Sequence, residues 1–413
     1  MKTARPPRLR GILLPASIVV SFLASSSAPT PLYAKYADRW HFSPITTTIV
    51  FGIYCIAVLA ALLVLGRVSD HLGRKPVLLG ALALQIAAMV VFSEAGDVGA
   101  LFAGRILQGV GTGTALGALG AAMLDIDRER GTRANAIAPG LGSGIGALSS
   151  GLIVQYLPAP TRLIYLVFIG VFLVQALGVA LLPETIGRRP GLRAALLPDL
   201  AMPRHLRPLL FAVAPVLFAV WSLGGFYGSL APALARQLSG SDSAVIGGLG
   251  LFVLTVVSSV TIVAIARIPP GTVTFLGITL LVLGSLSTLL AVEASSVTAF
   301  FVGTFVSGIG FGAGFQGGMR TVVPLVANHE RTGVLSSIYV ICYLGMGLPA
   351  VVAGNLVVYG GGLPTATRDY SLFVVTLAVA TLITLLRIRG RTRRASLTCA
   401  APDGVHRAPC LNR

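Results

Sequence analysis

Charge is scarce in this 413-residue chain: only 11% of its residues are charged, against about 25% in soluble domains. Acids are scarcer still, 14 Asp and Glu against 31 Lys and Arg. Too little polar surface remains to clothe a water-soluble globule of this length, which excludes one. Cysteine is scarce as well. Cys55, Cys342, Cys399 and Cys410 show neither disulfide-framework nor metal-ligand spacing, so no metal is expected. No G-x-x-x-x-G-K-[ST] phosphate loop occurs, so ATP is not the expected energy source. The five His are scattered, and those that adjoin an acid, His71 beside Asp70 and His329 beside Glu330, lie outside the apolar runs. A membrane enzyme needs a nucleophile, a His–carboxylate pair or a metal cluster at the surface, and none is legible. The expectation is a non-enzyme without cofactors.

What the chain has is apolar residues, 55% of the total. A helix needs about 20 of them in a row to cross a bilayer. Such runs predict twelve transmembrane helices, near 11–34, 44–65, 76–95, 98–124, 134–157, 161–183, 208–234, 244–266, 272–292, 295–318, 333–358 and 370–387. The net charge of +17 does not point to nucleic acid, because the basic residues sit between apolar runs. They alternate instead. Segments counted alternately from the N-terminus hold 25 of the 31 Lys and Arg, and the opposite segments hold five. Positive charge favours the cytoplasm, so both termini are expected there and the helix count is even. Residues 1–34 have features of a cleaved signal, but removing them would spoil this alternation. The Arg-rich composition, with three Lys, hints at a bacterial source and hence an inner membrane.

The chain also repeats itself. Phe102, Gly104, Gly109, Gly111 and Gly113 recur as Phe301, Gly303, Gly308, Gly310 and Gly312. In the next helix Gly142, Gly144, Gly151 and Tyr156 recur as Gly345, Gly347, Gly354 and Tyr359. The fold class is therefore all-α and polytopic, two pseudo-symmetric six-helix bundles over 1–183 and 208–389. A basic, Pro-rich linker covers 184–207, and a basic tail over 390–413 is expected to be disordered. Duplicated bundles with a site between them are a common transporter design.

Between the second and third helices lies Gly66-Arg67-Val68-Ser69-Asp70-His71-Leu72-Gly73-Arg74-Lys75. It resembles the signature loop G-x-x-x-D-R-x-G-R-[RK] of the major facilitator superfamily, with His71 in place of the usual Arg. The resemblance extends over the whole chain. It implies alternating access, with Asp70 capping the start of the eleventh helix near Thr332 to Ser337. It also implies that Arg74 ties Asp70 to Asp125 at the end of the fourth helix. Gly66, Asp70, Gly73, Arg74 and Asp125 form the expected gating latch. The matching loop of the second half, Ala266 to Gly271, lacks the acid.

Arg105 and Gln108 resemble the family's fourth-helix motif R-x-x-Q-G-x-G. A charge at a helix centre costs about 2.5–3.5 kcal/mol on insertion scales, so Arg105 is expected to face the central cavity. All acids fall at helix ends or in loops, so the cavity is expected to be electropositive and to favour neutral or anionic amphiphilic substrates. In the fifth helix Gly142, Gly146 and Gly151 read as a helix-packing motif. The segment resembles a worn antiporter motif, with Ala147 and Ser150 at altered positions. By resemblance the first, fourth, seventh and tenth helices line the cavity, which nominates Ser25, Trp221, Tyr227 and Gln316. Asn135, Tyr54, Tyr339 and Tyr343 are further candidates. The expected activity is proton-coupled efflux of a small molecule by a monomer. Asp38 and Asp70 are the available proton carriers, and coupled or facilitated uptake is the alternative.

Overall fold

The computed structural model describes residues 8–184, 190–198, 200, 202–327 and 330–399. Among the described residues all regular structure is helical. The first half holds α1 (Arg8–Ser27), α2 (Tyr33–Trp40), α3 (Pro44–Leu65), α4 (Ser69–Leu72), α5 (Arg74–Ser93), α6 (Val98–Ile126), α7 (Arg128–Tyr156) and α8 (Leu163–Leu181). After the linker helix α9 (Leu192–Ala195), the second half holds α10 (Arg207–Ser229), α11 (Ala231–Ser239), α12 (Ala244–Ala264), α13 (Pro270–Glu293), α14 (Val297–Val322), α15 (Arg331–Tyr359) and α16 (Gly362–Cys399). Twelve helices are long and apolar enough to span a membrane. The last helix runs on to Cys399, so 390–399 is helical where the sequence suggests a disordered tail. Residues 400–413 lie outside the described residues.

Proline shapes both halves in the same way. Pro29 and Pro31 follow the end of α1, lack an N–H and cannot continue its ladder. The first span therefore breaks into α1, a 3₁₀ turn at Thr30–Leu32 and the short α2. Pro232 sits in the first turn of α11, just after α10 ends at Ser229. Sequence reading runs the first span on to 34 and the seventh to 234, straight across both breaks. Large apolar side chains such as Phe211 and Val174 stay exposed on the outside. Lipid is their solvent, so that exposure carries no penalty. The sixth and twelfth spans, α8 and α16, are the least buried and occupy matching peripheral places.

Two seams join the halves. One pairs α7 with α12, and the other pairs α15 with α3. Glycine spacing in the sequence becomes packing here. A methyl added at Gly144 would meet Thr255 and Val256, and one at Gly347 would meet Cys55. Added at Gly151 it would meet Ala244, and at Gly354 it would overlap Thr48. Each pair of repeat glycines thus faces the other half at matching places. Gly142 and Gly345 instead face inward, onto Val20 of α1 and Phe218 of α10. Repeat symmetry therefore extends from the sequence to the seams themselves.

The seams lie toward the face opposite the Asp70 loop. There Thr30 donates to the carbonyl of Gly228 at 3.2 Å, and Ser243 donates to Gln155 at 2.6 Å. Gly228 also packs against the ring of Phe51. All three contacts cross between halves.

Candidate functional site

The Asp70 loop is built as a tight corner. Gly73 has φ +101°, a conformation that suits glycine and few other residues. At Gly66 the second span ends, and its carbonyl lies so close to α6 that a methyl at Gly117 would reach it at 2.9 Å. Arg74 sits at the start of α5, mostly buried. It pairs with Asp70 at 2.9 Å, reaches Asp125 at 3.6 Å and donates to Ser69 at 2.7 Å. The Asp70–Arg74–Asp125 cluster is therefore assembled. Arg74 is the only ion-pair partner of Asp70 among the described residues, and the Asp70 side chain is half exposed. It does not cap α15 in this conformation.

The linker holds the same loop from outside, which the sequence did not suggest. Glu184 accepts from the backbone N–H groups of Arg74 at 3.0 Å and Lys75 at 3.1 Å. A carboxylate at these orphan donors caps α5. Lys75 in turn bonds the last carbonyls of α8, at Ala180 and Leu182. His71 bonds the Pro190 carbonyl at 3.0 Å, so the His that replaces Arg has a partner of its own. In the second half Arg320 donates to the carbonyls of Ile265 and Ile268, at 3.2 and 2.8 Å. An arginine from the tenth span steadies the loop that has no acid.

Arg105 is fully buried and lies inside the first bundle, not in an open cavity as expected. The break in α1 explains it. Helix ends leave carbonyls without intrahelical partners and carry partial negative charge. Arg105 donates to the Ser26 carbonyl at 2.7 Å, to Gln108 Oε1 at 2.7 Å and through Nε to the Tyr33 hydroxyl at 3.1 Å. Gln108 donates to the Ser25 carbonyl at 3.0 Å, and Ser150 to the Ala28 carbonyl at 2.6 Å. Three carbonyls at the break thus accept from polar side chains of α6 and α7, and that of Ser25 also takes the Ala28 N–H at 3.3 Å. Ser150, where the antiporter motif has Gly, has found a structural task. The Arg105 guanidinium also lies over the rings of Tyr54 at 5.2 Å, Tyr33 at 5.7 Å and Phe92 at 6.0 Å. Aromatic faces and helix-end dipoles hold this cation, and no carboxylate pairs with it among the described residues.

The nominated cavity residues separate into three places. Ser25 is buried in the Arg105 network. Tyr227 is buried inside the second bundle, where its hydroxyl meets Thr304 at 2.8 Å, the residue that matches Arg105 in the repeat. It does not reach the junction of the halves, because Gly250 and Phe300 flank its ring. Trp221 does reach the junction. Its ring centroid lies 4.9 Å from Tyr343 and 5.9 Å from Phe315, and it packs against a cluster that includes Phe51 and Tyr54 of the other half. Gln316, next to Phe315, makes no hydrogen bond to another described residue.

Sequence reasoning missed Tyr33, Phe92 and Gln85 around Arg105. Tyr33 follows the Pro29 and Pro31 breakers, and that is the signal that marks it. Of the packing motif, Gly142 and Gly146 lie on Val20 and Ala24 of α1, while Gly151 serves the seam to α12. Asp38 is apart from all of this, on the face opposite the latch. With Arg236 and Asp242 it lines a cavity of about 430 Å³ between α2 and α11. No His, Cys, Asp or Glu cluster suited to a metal occurs among the described residues.

The sequence profile of the Major Facilitator Superfamily matches residues 15–348. The chain belongs to the major facilitator superfamily. Its twelve long apolar helices make it a multi-pass membrane protein of that family. Multidrug resistance protein MdtL of Escherichia coli O45:K1 is 47% identical over 66 residues, 16% of this chain and 17% of that relative. The MdtL of Escherichia coli O139:H28 is 45% identical over 65 residues, again 16% and 17% of the two chains. The match thus spans under a fifth of those relatives' length. Two solved structures share the fold over nearly their whole length. A point mutant of the nucleoside transporter NupG has a TM-score of 0.70 at 15% identity, covering 91% of this chain and 99% of that one. The human organic anion transporter MFSD10 (TETRAN) has a TM-score of 0.63 at 19% identity, covering 91% and 100%.

Proposed function

We propose that this chain exports a small neutral or anionic amphiphile from the cytoplasm across a bacterial inner membrane, driven by the proton gradient and acting as a monomer. One observation carries the mechanism: seams at one face, and an assembled but undocked latch at the other. The halves meet through paired glycine contacts, while Asp70 leaves α15 uncapped. Separating the seams and docking Asp70 on α15 would move the opening from one face to the other. The alternation of basic residues supports a cytoplasmic Asp70 face and cytoplasmic termini.

Among the described residues no acid bonds Arg105 or joins the Trp221 cluster, which supports a neutral or anionic cargo. Among the described residues the fixed charge beside the aromatic cluster is the Arg105 guanidinium behind Tyr54. The MdtL match supports the outward direction. The fold shared with NupG, whose name concerns nucleosides, keeps uptake as the second reading. Asp38 and Asp70, both exposed, are the proposed proton carriers.

Flux in proteoliposomes tests both direction and coupling. Export predicts counter-movement of substrate and protons under an imposed pH gradient. Co-directional movement would establish uptake, and flux indifferent to the gradient would remove proton coupling.

A further inference from the structure

We propose that the substrate is recognised as an aromatic ring bearing a hydrogen-bond acceptor, with the Trp221 indole N–H donating to that acceptor. The inference rests on the transporter reading above and gives its substrate a chemical class.

Trp221 Nε1 is buried and has no hydrogen-bond partner among the described residues. Unpaired buried donors are costly and therefore rare in folded proteins. Among the described residues the other buried side-chain atoms without partners belong to Arg74, Gln85, Ser285 and Ser307. Each of these sits within one half or in the latch. Trp221 alone sits where the halves meet, in the cluster shared by α3, α10 and α15. An occupant of the transport path would meet it there.

The neighbours of the indole set the rest of the chemistry. Phe315, Tyr343 and Tyr54 offer ring faces and edges that suit an aromatic guest. Gln316 offers a free amide beside Phe315. Behind Tyr54 lies the Arg105 guanidinium, 5.2 Å from the ring centroid. A fixed positive charge on that side favours an electron-rich or anionic acceptor and disfavours a cationic guest. A flat ring with a carbonyl or carboxylate fits every one of these features. An aliphatic acid lacks the stacking, and a plain hydrocarbon leaves the N–H unpaired.

The chain has two tryptophans, which makes the test direct. Trp40 stacks on Tyr36 at the end of α2, and Trp40→Phe leaves Trp221 as the single indole reporter. The probe is 2-naphthoate, added to this variant in nanodiscs. The controls are 2-methylnaphthalene, which lacks the acceptor, and cyclohexanecarboxylate, which lacks the ring. Saturable quenching of Trp221 is expected with 2-naphthoate, with at least fivefold weaker binding of either control. By calorimetry, Trp221→Phe should weaken 2-naphthoate at least fivefold and leave 2-methylnaphthalene within twofold. Absence of saturable quenching overturns the proposal. So does equal affinity for 2-naphthoate and cyclohexanecarboxylate, or unchanged binding in Trp221→Phe. The quenching arm needs no change at Trp221, so it decides even if that variant misfolds. Labelling of cysteines placed at the two faces tests the transporter reading separately. If the faces exchange but 2-naphthoate does not bind, the substrate class alone fails. If it binds and the faces never exchange, alternating access fails.

Discussion

Arg105 donates to the backbone carbonyl of Ser26 at the broken end of α1. A cation in the fourth span therefore holds the first span in its interrupted shape. Removing it strands the Ser26 carbonyl, the Gln108 amide oxygen and the Tyr33 hydroxyl together. Arg105→Ala should destabilise the protein by about 3 kcal/mol, the scale of leaving buried acceptors without their donor. Arg105→Lys should recover less than half of that, because an ammonium lacks the guanidinium fork. Thermal unfolding in detergent checks both. Equal stability of the Lys variant and the parent would show that the fork geometry is unimportant.

The seam glycines and the inward glycines should behave differently. Gly354→Val adds bulk only where α15 meets α3 of the other half. It should fold and favour the conformation in which that seam is apart, raising cysteine labelling at the seam face about tenfold. Gly146→Val collides with the Ala24 backbone inside one bundle and has no conformation that relieves it. It should lose most of its folded yield. Size-exclusion profiles and labelling rates separate the two outcomes.

Asp70 pairs with Arg74 while half exposed, and such pairs are worth about 1 kcal/mol or less. Asp70→Asn should therefore leave the unfolding midpoint nearly unchanged. It should slow turnover about tenfold while keeping ligand affinity within twofold, because docking on α15 belongs to the other conformation. Flux and binding measured on one preparation test the split. Equal loss of both would count against a gating role.

Glu184 caps α5 from the linker. Glu184→Ala should cost about 1 kcal/mol, the usual worth of an N-terminal cap. Glu184→Gln should cost less, since an amide oxygen still accepts. Unfolding of the two variants side by side gives the comparison.

Tyr227 lies inside the second bundle on Thr304. Tyr227→Phe should cost about 1 kcal/mol for the lost hydrogen bond and leave substrate affinity within twofold. A larger change in affinity, measured against the same ligand used for Trp221, would place Tyr227 at the transport path after all.

Much of the fold is legible before any coordinates, because bilayer thickness forces apolar runs of one length. The repeat glycines also carry real information, since only small residues let the seams close. Arg105 illustrates what is not legible. Its cost in lipid argues for a polar surrounding, but a cavity and a broken helix end both provide one. The difference lies in Pro29 and Pro31, seventy-odd residues away in sequence. Tyr227 and Trp221 present the same problem on one helix. Both look like cavity aromatics, and only the rotation of α10 sends one into a bundle and the other to the junction. His71 and Glu184 were hidden for another reason: their partners are a backbone carbonyl and helix-end amides, which leave no residue signature.

The two seams differ in texture although they match in position. Between α7 and α12 the contacts are glycines and small hydroxyls such as Thr255 and Ser259. Between α3 and α15 the contacts include the rings of Phe51, Tyr54 and Tyr343. A guest wedged among those rings presses on one side of the molecule only. Cargo should therefore pry that side loose first, with the smooth side serving as the pivot on which the rest swings.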